Sequence, residues 1–543
     1  MSALLWLLVP LAPLLPLLLL RRAALARWHW LGCLPAAVLL WLQPASLELA
    51  LLWPGARWGL LDGSASVWLG FSALLWAVAG RYAAADLAQL HNRRFWWFWQ
   101  LALAGNLLLV IAEDVISFYA GFTLMSLSAY GLVVHKGTPQ ARRAGRLYLQ
   151  LAVLGEMLVY AGLLLQLHAG TGSLLLADWR DTPLAPGAAA LLLIGFGLKA
   201  GFWPLHLWLP LAHPVAPAAA SAVLSGVMLK AGILGLWRML PSADPLLAAL
   251  APLLLGVGLC SAFYGVLMGL RQAAAKSLLA WSSVSQLGWL LVILALGWQS
   301  PALNTLGVPL LALYATQHAL AKGALFMAAG LATHQQLGRL GVVLAALPAL
   351  ALAGLPLTSG AALKQLLKQP LQDWSTGLSW LASLGSLGTA LLLLRLLWLL
   401  QHQAGSQHHA DIRWRLTALL CLAPLLLWLW PPLQPALLDS LQPSALLAQG
   451  WPLLLALLLG SLALQQGWQW PAALRPRRQP VVLRPSLWLK RQLQRPPLPA
   501  LQPRAASARW RALERRWNQL WRSWPVSLSG WLLLGLLLLG WWL

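Results

Sequence analysis

The chain has 543 residues, of which 60% are hydrophobic and only 9% charged, and its mean hydropathy is +0.71. No soluble domain exposes so much apolar surface, so the composition excludes one and points to a polytopic membrane protein. A net charge of +24 would suggest nucleic acid in a soluble chain. Here the basic residues cluster in short loops and one tail, so the positive-inside bias accounts for them and no nucleic-acid partner is expected.

Apolar runs of spanning length fall near 3–20, 28–45, 65–85, 95–112, 114–134, 146–168, 186–209, 217–240, 245–270 and 277–297, then near 303–333, 338–370, 376–401, 413–431, 451–466 and 524–543. At roughly 20 residues each these predict an all-α protein of about sixteen transmembrane helices in a lipid bilayer. The first run has no basic region before it and is followed by Arg21 and Arg22, the polarity of a first transmembrane helix and not of a cleaved signal. Cys33, Cys260 and Cys421 each stand alone in an apolar run, and no CxxC, GxGxxG or Walker motif occurs. No iron–sulfur, dinucleotide, ATP or metal site is expected, and no cofactor.

With the N-terminus outside, fifteen basic residues fall on inside loops, among them Arg21, Arg22, Arg93, Arg94, Arg142 and Arg143. Only Arg57, Arg180, Arg238 and Lys368 fall outside. That asymmetry predicts both termini on the outer side. Between Pro471 and Ser523 the composition turns basic and proline-rich, which reads as a cytoplasmic linker. Its last part, 504–524, puts Trp510, Leu513, Trp517, Leu520, Trp521 and Trp524 on one helical stripe, an amphipathic helix for the membrane surface or a partner.

The stretch from Leu191 to Leu240 organises the rest. Lys199 and Lys230 lie deep in apolar runs, with Pro204, Pro210, Pro214 and Pro217 between them and His206 and His213 interleaved. A buried charge is costly unless partnered or hydrated, and backbone freed by proline is tolerated in a membrane only against protein or a hydrated cavity. The alternative is a kinked helix whose lysines snorkel to the interface. The intramembrane charges away from helix ends are Glu156, Lys199, Lys230, Lys322, Lys364 and Arg395, with His318 one turn from Lys322. Glu156 is the only carboxylate available to pair with a buried lysine. A lysine held between desolvation and an opposite charge can take and release a proton, the requirement for a relay; the other reading is a static ion pair.

A second interruption, GLPLTSGAALK (354–364), sets Gly354, Pro356 and Gly360 before Lys364. Two such segments, each with a buried lysine, predict inverted repeats over roughly 95–240 and 245–401. Around them lie N-terminal helices (1–94), C-terminal helices (402–470), the linker (471–523) and a last helix (524–543). His318 and Lys322, four residues apart on one face, would connect the two lysine sites; the other reading of His318 is a satisfied core histidine.

The pattern from Lys199 to Ile233, KAGFWPLHLWLPLAHPVAP followed by SAVLSGVMLKAGI, resembles the antiporter-like subunits of respiratory complex I and of Mrp-type cation/proton antiporters. It is also similar to hydrogenase-4 component B. SLLAWSSVSQLG (277–288), HALAKGALFMAAG (318–330) and AGLPLTSGAALK (353–364) match further family segments in order, so the resemblance covers about residues 50–400. It implies two inverted five-helix repeats and a proton path along the membrane plane. On that path Lys199 stands at the first broken helix, Lys230 connects, His318 and Lys322 form the central pair, and Lys364 is terminal. Two positions depart from the family. FTLMSLSAY puts Thr123 where the family carries glutamate, and Leu211 replaces the acid of a PDAH segment.

The resemblance implies a proton-translocating subunit, without its own redox centre, of a complex I-like or hydrogenase-like assembly in a bacterial inner membrane. It would work with other membrane subunits and carry protons or monovalent cations. A subunit of a secondary cation/proton antiporter and a non-conducting structural module remain as alternatives.

Overall fold

The computed structural model describes residues 2–465, apart from 19–22, 88–92, 171, 242, 301–309, 406–410 and 427–429. The expected linker, amphipathic helix and last helix (471–543) lie outside the described residues. Two helical runs come first, α1 (Ser2–Leu17) and α2 (Trp28–Leu42); a two-residue hairpin of β1 (Leu47–Glu48) and β2 (Arg57–Trp58) follows them. The bundle then runs through α3 (Gly63–Asp86), α4 (Arg93–Ile111), α5 (Val115–Val133), α6 (Pro139–Ala169) and α7 (Pro186–Ala200). Next come the short α8 (Leu209–Val215), α9 (Ala218–Met239), α10 (Pro245–Leu270), α11 (Ala275–Gln299) and α12 (Leu310–Thr333). The last are α13 (Gly338–Ala353), α14 (Ser359–Trp374), α15 (Thr376–Gln403), α16 (Ile412–Cys421) and α17 (Pro443–Gln465).

Among the described residues, nine helices are long and apolar enough to cross a membrane, and α1, α2, α7 and α13 are shorter apolar helices. The apolar runs 186–209 and 338–370 are each divided. Gly201 ends α7 in the left-handed region (φ +74°) ahead of Pro204, and Gly354 ends α13 there (φ +93°) ahead of Pro356. Glycine adopts that conformation without a side-chain clash, and proline cannot continue the hydrogen-bond ladder. Gly360, expected to be part of the second interruption, sits inside α14.

Three acids that immediately precede apolar helices cap them. Asp62 accepts from Ala65 N, Asp114 from Ser117 N and Asp244 from Leu246 N, each satisfying an amide that a helix start leaves unpaired. The basic residues grouped with them gather at the same end: Arg180 pairs with Asp62 (2.5 Å) and Arg57 with Glu113 (2.9 Å). Arg238 donates there to the carbonyls of Leu109, Val110 and Ala112, the free acceptors at the C-terminal end of α4. At the opposite end of α3, Arg413 pairs with Asp86 (3.1 Å).

The centre of the bundle is α9, α11 and α12. The apolar window of α9 is 100% buried and that of α11 94%, against 33% for α6 and α10, which therefore lie at the periphery. Glycines set the closest crossings. A Cβ built at Gly195 of α7 would stand 2.8 Å from the Gly155 carbonyl oxygen of α6, so these two backbones are nearly in contact.

Candidate ion-path site

The α6–α7 crossing brings Glu156 and Lys199 to one pocket of about 260 Å³, which Phe122, Ser126, Tyr148 and Trp208 also line. Lys199, expected mid-run, is the penultimate residue of α7, immediately before the break. Its ammonium donates to Ser126 Oγ (2.9 Å) and Tyr148 Oη (3.3 Å) and lies 5.7–5.8 Å from the rings of Tyr148 and Phe122. Among the described residues Glu156 forms no ion pair within 4.0 Å, and its Oε1 has no hydrogen-bond partner. The Ser126 hydroxyl that receives Lys199 also faces the Glu156 carboxyl. The expected Glu–Lys contact is therefore one hydroxyl removed. Thr123 lies one turn before Ser126 on α5.

Three helices build the central cluster. α9 contains a π-helical turn, Leu224–Met228, directly before Lys230. Lys230 Nζ donates to the carbonyl of Ser225 (3.0 Å), and Ser225 Oγ lies 2.8 Å from Ser283 Oγ on α11. Lys322 Nζ of α12 donates to the Leu279 carbonyl (2.9 Å), one turn from Ser283. His318, fully buried, stands in the field of both lysines, and neither of its ring nitrogens has a partner among the described residues. His213 of α8 is equally buried and unpartnered and stacks on Phe326, one turn beyond Lys322. Buried polar atoms without protein partners mark where a hydrated track would run.

Tyr314, His318 and Lys322 recur every four residues on α12, and Tyr314 Oη donates to Gln286 Oε1 of α11 (2.7 Å). Tyr314 and Gln286 also line a pocket of about 700 Å³ with Lys364, Ser386 and Thr389. Lys364 donates to the Ala353 carbonyl, the last residue before the second break, and to Ser386 Oγ (2.6 Å). The structure thus brings Lys230, His318 and Lys322 together and leads by Tyr314 and Gln286 to Lys364. It holds Glu156 and Lys199 in a separate pocket. No hydrogen bond among the described residues joins Lys199 to Lys230.

The remaining candidates lie apart. His206 sits in the turn after α7 among Tyr264 and Trp281. Arg395 donates to the Gln272 carbonyl just beyond the end of α10 (3.2 and 3.0 Å). Sequence reasoning missed Ser126, Tyr148, Ser225, Ser283, Gln286 and Tyr314. Ser283 and Gln286 had a signal, polar residues inside the apolar run SLLAWSSVSQLG. Among the described residues no group of three or more His, Cys, Asp or Glu assembles that could hold a metal.

Residues 112–391, just over half the chain, match the family described as NADH:quinone oxidoreductase/Mrp antiporter, TM. The chain is 30% identical over 246 residues to hydrogenase-4 component B of Escherichia coli (strain K12), covering 43% of this chain and 36% of that protein. It is also 30% identical over 295 residues to NADH-quinone oxidoreductase subunit N of Desulforudis audaxviator (strain MP104C), covering 51% and 57%. It therefore spans less than two thirds of either relative. A chain of the Mrp complex from Dietzia sp. DQ12-45-1b shares the fold, with a TM-score of 0.68 at 21% identity over 83% of this chain and 99% of that one. This chain belongs to the NADH:quinone oxidoreductase/Mrp antiporter transmembrane family.

Proposed function

We propose that the chain is a proton-translocating, antiporter-like subunit of a redox-driven membrane complex, with no redox centre of its own. Protons move through Glu156, Lys199, Lys230, His318, Lys322 and Lys364. The chain sits in a bacterial inner membrane with both termini on the outer side. About sixteen helices include two inverted five-helix repeats, 95–240 and 245–401, each carrying one break. Other membrane subunits of a complex I-like or hydrogenase-like assembly are its partners.

One observation carries this reading. Lys230, His318 and Lys322 are fully buried at the centre of the bundle, and the contacts of both lysines are neutral oxygens. A structural ion pair would need a carboxylate there, and desolvating unpaired bases has no packing benefit. Exchangeable protons give those bases a role.

The test is proton uptake into inverted vesicles carrying the full assembly, driven by an imposed K⁺ diffusion potential. Lys322→Ala and Lys364→Ala each abolish uptake at normal membrane abundance if the reading holds. Unchanged uptake in both would overturn it. Uptake that requires Na⁺ on the opposite side would favour the secondary antiporter, which the fold shared with a chain of an Mrp complex makes the second reading.

A further inference from the structure

Ser225 and Ser283 link the two central lysines. Both are fully buried, and their Oγ atoms are 2.8 Å apart across the α9–α11 contact. A buried helical serine commonly closes a bond to the carbonyl one turn back, as Ser283 does with Leu279 (3.0 Å). Ser225 does not: its hydroxyl crosses between helices to Ser283. The acceptor shared by Ser283 and Lys322 is the Leu279 carbonyl, and the acceptor of Lys230 is the carbonyl of Ser225 itself. Each lysine therefore donates to a carbonyl that belongs to, or is shared with, one serine of the pair.

A hydroxyl has one proton to give and two lone pairs. With Ser283 donating to Leu279, the Ser225 hydroxyl donates to Ser283. Turning both hydroxyls round keeps the 2.8 Å bond and reverses its direction. Two such states are what a proton wire alternates between.

We propose, resting on the proton path above, that the Ser225–Ser283 pair carries most of the proton flux between Lys230 and Lys322, with the remainder passing by His318. In one passage the Lys230 ammonium gives a proton to Ser225 Oγ while the Ser225 proton moves to Ser283 Oγ. The Ser283 proton moves in turn to the neutral amine of Lys322. One N–H bond breaks at Lys230, one forms at Lys322, and both serines end as neutral hydroxyls pointing the other way. No oxidant or reductant takes part.

Threonine and valine have nearly the same shape and differ in the hydroxyl, so they separate proton conduction from packing. In the vesicle assay above, with membrane abundance matched, Ser225→Val lowers uptake about tenfold and Ser225→Thr stays within about twofold of the parent chain. If Ser225→Val does not accumulate, Ser283→Val against Ser283→Thr gives the same comparison. Equal uptake by the hydroxyl-bearing and hydroxyl-free variants overturns the serine link. Lys322→Ala, run alongside, tells the two failures apart. A dead Lys322→Ala with a normal Ser225→Val removes only the serine link, whereas a normal Lys322→Ala removes the path itself.

Discussion

Lys199 and Lys364 both sit beside a break in a helix, yet they are accommodated in different ways. Lys199 shares a 260 Å³ pocket with a carboxylate, Glu156, and reaches it through the Ser126 hydroxyl. Among the described residues none that lines the Lys364 pocket carries a carboxylate; the lysine takes a carbonyl and the Ser386 hydroxyl, and faces a 700 Å³ pocket with Gln286 and Thr389. A buried ammonium can be stabilised by an opposite charge or by several neutral oxygens with room for water. The first site uses a charge, and the second uses space and dipoles. If the chain moves protons, the lysine of the first site should answer to its acid and that of the second to hydration.

The harshest way to break the comparison is to force α13 and α14 apart beside the second site. A Cβ at Gly360 would stand 1.7 Å from the Ala351 carbonyl oxygen, which is backbone and cannot yield as a side chain would. Gly360→Ala should cost about 3 kcal/mol or more, seen as a lowered melting temperature of the detergent-solubilised assembly. An unshifted melting curve would mean that α14 does not depend on this approach. Gly195→Ala does the matching damage to the first site. Its Cβ would meet Val159 Cγ2 at 2.7 Å and the Gly155 carbonyl at 2.8 Å. The expected cost is about 1–3 kcal/mol, with α6 pushed from α7 and Glu156 drawn away from Lys199. Proton uptake should then fall further than the loss of folded protein explains; a purely proportional fall would place the acid outside the path.

Glu156→Gln tests the comparison by charge alone. Removing a partner from a direct buried ion pair costs about 3–5 kcal/mol, and a smaller loss is expected here because a hydroxyl intervenes. Transport should fall about tenfold, since the Lys199 ammonium loses the only intramembrane carboxylate in its pocket. Adding Thr123→Glu returns an acid to the family's position, one turn from Ser126, and should recover part of the activity. Normal uptake by the single variant would make Glu156 structural.

Much of this contrast was readable in the sequence, but not its chemistry. Buried lysines stand out because a charge inside an apolar run has few explanations, and Gly201 with Pro204 and Gly354 with Pro356 announce the breaks. The partners could not be read. Ser126, Ser225 and Ser283 are compatible with any apolar helix, and only the helix crossings decide what a serine faces. The Ser126 hydroxyl between Glu156 and Lys199 could not be read for the same reason: spacing puts two residues on neighbouring helices without fixing the distance between their tips. The caps Asp62, Asp114 and Asp244 carry a legible signal, an acid just before an apolar run.

The smallest effect lies at the polar end of the first half, where charge pairing continues outside the membrane. Asp62 caps α3 through Ala65 N, accepts from Ser64 Oγ (2.5 Å) and pairs with Arg180. Burial alone would push its carboxyl up; Arg238, the Ser64 hydroxyl and Arg180 together hold it below the usual value. A carboxyl with a depressed folded value binds protons more weakly folded than unfolded. Its contribution is therefore complete above the ordinary carboxylate range, near pH 4, and is lost as pH falls through the depressed value. Asp62→Asn keeps a good capping side chain and removes only the charge. Because Arg180 is half exposed, solvent screening limits the expected loss to about 1 kcal/mol or less at pH 7. The melting temperatures of parent and variant should differ by a constant amount from pH 7 down to about pH 5 and converge below about pH 4. A gap that persists unchanged into acid would show that Asp62 acts through its shape and not through its charge.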